Sequence, residues 1–271
     1  LGKTALNWDV GQSLQPVGFF DPPVDLLDGA AFEGRSAGMP LLALAWITGP
    51  QSLTLAYASQ RVAADRPRVE RWGLNAGWNG DSLSVALVLH KASGASAGLG
   101  GTLSWTASDQ SVLHAAFSAA GRPRAVAGLT HALDAHNSWT IEIGHDGQAL
   151  DAAAWAAWRN TMQTHRQRYL VQPDAPNRLA LLDDIAQLGP LRAARRQLYL
   201  QWRHQQENGS VMPQLLAVSD GSVLINVTAG WRWGGHWAAE AAWTRLLGSA
   251  GSLAAQLPSR GSLRLSVKAG F

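Results

Sequence analysis

Gly261-Ser262-Leu263-Arg264-Leu265-Ser266-Val267-Lys268-Ala269-Gly270-Phe271 alternates without a fault. Leu263, Leu265, Val267, Ala269 and Phe271 share one face, and Ser262, Arg264, Ser266, Lys268 and Gly270 share the other. A period of two is the pattern of a β-strand with two different surroundings. Upstream, Val223, Ile225, Val227, Ala229, Trp231 and Trp233 stand opposite Asn226, Thr228, Gly230 and Arg232. Trp237, Ala239, Ala241 and Trp243 stand opposite Glu240 and Thr244, and Leu198, Leu200 and Trp202 opposite Tyr199, Gln201 and Arg203. Trp139, Ile141 and Ile143 oppose Thr140 and Glu142, while Trp72, Leu74, Ala76 and Trp78 oppose Arg71, Gly73, Asn75 and Gly77. Leu83, Val85, Leu87 and Leu89 continue the theme.

Read throughout, this pattern predicts strands over 2–8, 41–48, 52–60, 68–78, 82–91, 98–107, 111–120, 123–132, 138–146, 194–203, 211–219, 222–233, 236–246 and 261–271. The connections fall into two alternating sets. Tight ones lie near 49–51, 79–81, 108–110, 133–137 and 234–235, with 204–210 slightly longer; long ones lie at 9–40, 61–67, 92–97, 147–193 and 247–260. Short turns at one end and long loops at the other are the signature of an outer-membrane barrel, with the short turns periplasmic. The fold class expected is all-β, a transmembrane antiparallel β-barrel of about 14 strands (roughly 12–16), with long extracellular loops and one loop helix.

Composition narrows the choice. Of the 271 residues 46% are apolar and only 15% charged, against about 25% in an ordinary soluble domain. No apolar run is long enough for a transmembrane helix, and the aromatic and apolar content argues against disorder. The absence of Cys removes disulfides, thiolate metal sites and a cysteine nucleophile, and a net charge of +3 is too small to argue for nucleic acid. A soluble β-sandwich or propeller also alternates. Three features favour the membrane. The apolar faces lack charge through the strand middles, as a cost of about 2–4 kcal/mol for a mid-depth lipid-facing Arg or Lys requires. Eleven of the 13 Trp fall in the expected strands, mostly near their ends, where an indole suits the interface. The chain closes on Phe271, in phase with the apolar face. The membrane-interface aromatics expected are Trp72, Trp78, Trp139, Trp202, Trp231, Trp237, Trp243 and Phe271.

The apolar alternation ending on Phe271 resembles the C-terminal strand that the barrel-assembly machinery of bacteria recognises. The stretch from Gly2 through Trp8, Gly11, Pro16, Phe20, Pro22 and Pro23 to Arg35 is similar to a signature of proteobacterial barrels related to alginate-export-type porins. Asp9 departs from the glycine usual there, and Gly38 is not next but one to the arginine. The resemblance implies a bacterial outer-membrane location and, since the signature follows several strands in that family, further strands N-terminal to this chain. The opening Leu1-Gly2-Lys3 has no initiator Met and no signal-peptide pattern, which reads as a mature form, a fragment or a visible part of something longer.

With lipid on the apolar side, Lys3, Arg71, Arg195, Arg203, Arg232, Arg264 and Lys268 point into the lumen, with Glu142 and Glu240 the only clear acids. Rings of Arg and Lys favour anions. The plainer alternative pairs these cations with loop acids such as Asp21, Asp25 or Asp151. Residues 9–40, carrying Phe19, Phe20 and Asp21, are too apolar for a free loop of that length and are expected to constrict the mouth. Residues 147–168 are Ala-rich, with Leu150, Ala154, Trp155, Trp158 and Met162 at helical spacing, and predict a helix over about 148–166 that caps the pore, docks a partner or packs as a lid on 9–40.

No His-Glu-x-x-His occurs, His131, His136 and His145 match no metal spacing, and no Gly-rich phosphate loop sits between a strand and a helix. Catalytic residues, metal and cofactors are expected to be none. The functional expectation is one barrel spanning 1–271 that passes hydrophilic, anionic solutes, passively or coupled to export. The competing expectation is an occluded structural or assembly barrel anchoring a periplasmic or envelope complex. A lateral opening at Pro213 is a third. Expected partners are membrane lipids, lipopolysaccharide and the barrel-assembly machinery, with no nucleic acid.

Overall fold

A computed structural model describes residues 2–4, 6, 8–20, 39–61, 68–119, 121–188, 195–234, 236–256 and 260–269. Asp21, Asp25, Gly270 and Phe271 lie outside these described residues, as does most of the stretch carrying the signature prolines.

The strands are β1 Gly2–Thr4, β2 Met39–Thr48, β3 Gln51–Arg61, β4 Arg68–Asn79, β5 Leu83–Ala92, β6 Gly98–Ser108, β7 Ser111–Ser118, β8 Arg124–Ala132, β9 Asn137–Asp146, β10 Arg196–Gln205, β11 Gly209–Val218, β12 Val223–Trp233, β13 Trp237–Leu247 and β14 Gly261–Ala269. They form a 14-stranded sheet in strict chain order, every described pair antiparallel. Nearest-neighbour pairing of this kind needs only hairpin connections. The register is continuous along nearly all of the ladder; a bulge interrupts it between Thr106 and Ser108. Pro213 produces no such shift. It pairs with Val227 of β12 in an unbroken register, while on the β10 side the pairs run from Gln201 and Gln214 to His204 and Val211 without a change of register.

Burial follows the period of two. On β12, Leu224, Asn226 and Thr228 are buried while Val223, Ile225 and Val227 are half-exposed. On β13, Ala242, Thr244 and Leu246 are buried and Trp243 and Leu247 exposed. The apolar face of each strand therefore looks outward and the small and polar face inward. A water-soluble barrel would reverse this, because hydrocarbon surface is driven out of water. A one-residue slip would exchange the two faces of a strand, so the pattern itself holds the register.

Three helices complete the described chain. α1 Ala152–Val171 and α2 Ala175–Leu188 form a hairpin in the β9–β10 connection, and α3 Leu253–Gln256 lies between β13 and β14. The expected helix over about 148–166 starts later and runs longer. Asp151 is its N-cap, its carboxylate accepting the Ala154 N–H at 2.8 Å. Pro173 follows its end, and Asp174 accepts the Asn177 N–H to open a second helix that the sequence reading did not foresee. α1 packs through Trp158 and Met162 on Leu253 of α3 and Leu181 of α2, rather than on the described part of 9–40 as a lid was expected to do.

The strand expected over 2–8 shortens to Gly2–Thr4. Beyond it the chain leaves the sheet, and residues between Leu6 and Phe20 pass along its inward face. Leu14 packs on Ala116 of β7 and Val126 of β8, and Phe20 on Leu41 of β2 and on Ala56 and Ala58 of β3. A single segment touching the inner faces of strands so far apart in the order requires the sheet to curl around it.

The orientation of the two faces is open to a direct test. In a bilayer, Ile225→Arg is expected to lose about 2–4 kcal/mol of insertion free energy. Thr228→Arg, on the inward face and bordering a cavity of about 590 Å³, is expected to be tolerated. Heat-modifiable gel migration of membrane fractions measures both; equal tolerance contradicts the assignment.

Candidate functional site: a lumen divided by an inner segment

Asp9 shapes the inner segment. Its Oδ1 accepts the N–H groups of Val10 and Gly11 at 2.9 Å, and Oδ2 accepts that of Val17 at 2.6 Å. One carboxylate thereby closes a loop of the segment on itself. Burial pushes the Asp9 carboxyl up to about 6, against the opposing pull of those N–H groups and of Arg124.

The wall grips this loop through Glu142 on β9, which is 1% exposed. Its Oε1 accepts the Gln12 N–H at 2.8 Å and lies 2.8 Å from His114 Nε2 of β7. Its Oε2 accepts the Ser13 N–H at 2.8 Å and the Ser13 hydroxyl at 2.6 Å. Gln197 of β10 donates to Ser13 Oγ at 3.1 Å. Every strong contact of this buried carboxylate thus goes to the segment or to a facing wall residue, the condition under which a buried charge is tolerated. Farther along, Arg71 donates to the Phe19 carbonyl at 2.9 Å, and Phe19 stacks on His90 of β5. Phe20 meets Trp8 edge to face at 5.1 Å.

Two glycines make room. A Cβ on Gly73 of β4 would fall 2.6 Å from both Phe20 and Trp8, and one on Gly100 of β6 would fall 2.5 Å from Val17. The inward face is hollowed where the segment's bulky groups lie.

Two cavities lie against the segment among the described residues. The larger, about 590 Å³, runs from Gln12 between β10 and β14 towards the short turns, and Arg203, Arg232, Lys268 and Glu240 line it. The smaller, about 300 Å³, is bounded by Trp8 and Asp9 and by Ser52, Thr54, Asn75, Ser84, Thr102 and Ser104, which carry no charge. Beside the larger cavity the wall is braced by a side-chain relay. Gln214 donates to Tyr199 and Gln201, Asn226 to Gln214, and Thr244 to Asn226.

The residues singled out from sequence are dispersed by this arrangement. Arg203, Arg232, Glu240 and Lys268 come together at the larger cavity. Arg264 sits beside them, 3.1 Å from Glu240. Arg71 is committed to the segment, and Arg195 lies just ahead of β10, outside the lining of both cavities. Phe19 and Phe20 belong to the segment, and Asp21 is outside the described residues. Trp78, Trp139, Trp202, Trp231 and Trp237 stand on outward positions next to the short turns, with Trp46, Trp105 and Trp233 at the same end. Trp72 lies towards the long-loop end, and Trp243 pairs with Val227 nearer mid-strand. Trp8 is in no strand. Asp9, Ser13 and Gln197 escaped the sequence reading. The one clue was Glu142, an acid at an inward position with no basic partner nearby in sequence.

Two outcomes follow from this geometry. Glu142→Ala removes the acceptor of two segment N–H groups and is expected to cost about 2–3 kcal/mol of docking. Limited proteolysis should then cut between Val10 and Val17, where the parent resists. For Asp9, the folded pKa lies above the ordinary 3.8. Its contribution is therefore complete below about pH 4 and is lost as pH rises through about 6. Amide exchange of Val10, Gly11 and Val17, corrected for intrinsic rates, should show falling protection between pH 5 and 7, and Asp9→Asn should flatten that profile.

No family model and no curated protein matches the sequence. Solved structures do. A triple mutant of the Rhodopseudomonas blastica porin aligns with 85% of this chain and 89% of its own at 8% identity and a TM-score of 0.50. A second mutant of the same porin covers the same shares at 9% identity and a TM-score of 0.49. At such identity the likeness is one of fold: an all-β antiparallel sheet of the porin-barrel kind.

Proposed function

We propose that this chain is an outer-membrane channel for hydrophilic, anionic solutes, narrowed by the segment between Leu6 and Phe20. The observation that carries the reading is the cavity of about 590 Å³ reaching from Gln12 to the short turns. Arg203, Arg232 and Lys268 line it, and its one acid, Glu240, is paired with Arg264. The local excess of positive charge, in a low-dielectric wall, concentrates anions. The outward apolar face and the porin-like fold support placement in the outer membrane, passive or export-coupled. The N-terminal resemblance to alginate-export-type barrels is consistent with an anionic cargo. Assembly through the barrel machinery fits the alternating last strand. No catalytic role is assigned.

A second reading has an observation of its own. Glu142 holds the segment to the wall by three hydrogen bonds, from the Gln12 and Ser13 N–H groups and the Ser13 hydroxyl, and Asp9 folds the segment on itself by three more, which suits a barrel kept shut as an anchor for an envelope complex.

Planar-bilayer recordings in a salt gradient separate the two. The channel reading expects a reversal potential on the anion side, moved towards cations by the double variant Arg232→Glu, Lys268→Glu. Cation preference in the parent refutes anion passage. Absence of conductance and of liposome swelling, together with co-purification of a partner complex, favours the anchor.

A further inference from the structure

The outward face of the barrel is polarised from end to end. Next to the short turns the described outward strand positions carry Trp and no Lys, Arg, Asp or Glu, and the turns themselves carry Asp81, Asp109, Asp134 and Glu207. Next to the long loops the outward positions carry Lys91, Arg196 and Arg245, all exposed, within three residues of their strand ends. Arg68 is also there, and Glu70, the one acid among the described outward strand positions of this rim, accepts the Tyr57 hydroxyl.

One corner of the rim, at β8–β10, pairs a cation with an imidazole and has no acid beside it. Arg196 and His145 are register partners on adjacent strands, both exposed. Among the described residues no carboxylate occupies an outward position of β8, β9 or β10. Asp146 points inward to Arg124 and Asp151 caps α1. Immediately below the two polar groups, towards mid-strand, lie Ile143 and Leu198, with the small Ala127 beside Ile143 in the register. Ile143 is 63% exposed, more than the outward Leu87 or Leu89 of β5. An exposed strip of hydrocarbon character thus ends at a guanidinium and an imidazole.

We propose that this corner binds a phosphorylated lipid of the surrounding leaflet. The phosphate monoester lies on Arg196 and His145, and an acyl chain lies along Ile143 and Leu198. A guanidinium offers paired N–H donors matched to phosphate oxygens, and the imidazole adds another donor. The apolar strip supplies the affinity for chains that free phosphate lacks. The site rests on the reading above that the outward face meets lipid, and it fixes the orientation: the long-loop end lies in the phosphate-rich leaflet, and the Trp end in the other.

The test uses detergent-purified full chain reconstituted into nanodiscs of phosphatidylcholine, with and without one tenth bisphosphorylated lipid A. Lipid retained by the protein is read by native mass spectrometry. Lipid A is expected to be retained in preference to phosphatidylcholine. Arg196→Gln should lower that retention about fivefold, and adding His145→Gln should lower it further. Arg178→Gln on α2 should leave it unchanged. Retention equal in the parent and the double variant overturns the site, as does its loss to millimolar inorganic phosphate. A protein that enters phosphatidylcholine nanodiscs normally but shows no lipid A preference refutes this proposal alone. One that stays monodisperse without detergent and enters no nanodisc refutes the membrane reading and the site with it.

Discussion

A β-strand has two faces, and in this molecule the two faces meet different media. Everything else depends on that separation. Outward positions such as Ile225 and Leu265 are selected for hydrocarbon character, inward ones such as Asn226 and Thr244 for mutual hydrogen bonding, and the backbone between them is satisfied by its neighbours. Because the side-chain period is two, neither face can be altered by sliding a strand one residue. The wall is thus rigid in register even though much of it is built from Ala, Gly, Ser and Thr, residues with little packing volume of their own.

A wall of small inward residues leaves a lumen, and the segment between Leu6 and Phe20 occupies part of it. Its polar groups are met by a few wall residues: Glu142 for Gln12 and Ser13, Arg71 for the Phe19 carbonyl, Gln197 for Ser13. Its apolar groups fill hollows at Gly73 and Gly100. Two unlike compartments result, one bounded by hydroxyls, amides and Asp9, the other by three cations and Glu240. The cations of the larger compartment are gathered on β10, β12 and β14, while Arg71 on β4 and Glu142 on β9 are spent on the segment.

The alternation made the strands legible in the sequence, down to ends that mostly agree within two or three residues, because the two faces of each strand carry opposite chemistry on successive residues. It exposed the two classes of connection only in part, since β7 and β8, and β11 and β12, are joined by short connections at the end that otherwise carries the long loops. What it could not reveal was the fate of residues 6–20. Leu6, Trp8 and Val10 alternate with polar neighbours as a strand would, yet the structure turns them inward, and nothing local records that Asp9 will fold the chain back on Val17 or that Glu142 waits far along the sequence. The helical hairpin was half legible. Its first helix shows an apolar stripe, but its true start depends on the Asp151 cap; its partner helix separates apolar from polar residues better still and opens with Asp174 and Pro176, start signals that the reading passed over. The inward cations were visible one by one. Which of them share a cavity depends on the segment that subdivides the space.

The bond between Ser13 and Glu142 spans 129 residues, whereas each strand contacts the one beside it. Hairpins can be laid down in order at little cost in chain entropy, but this closure is long-range and must wait. During biogenesis Gln12 and Ser13 have no carboxylate to hold them until the ninth strand is in place, whereas Phe19 and Phe20 find their partners already on β2 to β5. An intermediate that ends before β9 would therefore seat the aromatic end of the stretch and leave its Gln12–Ser13 turn untethered.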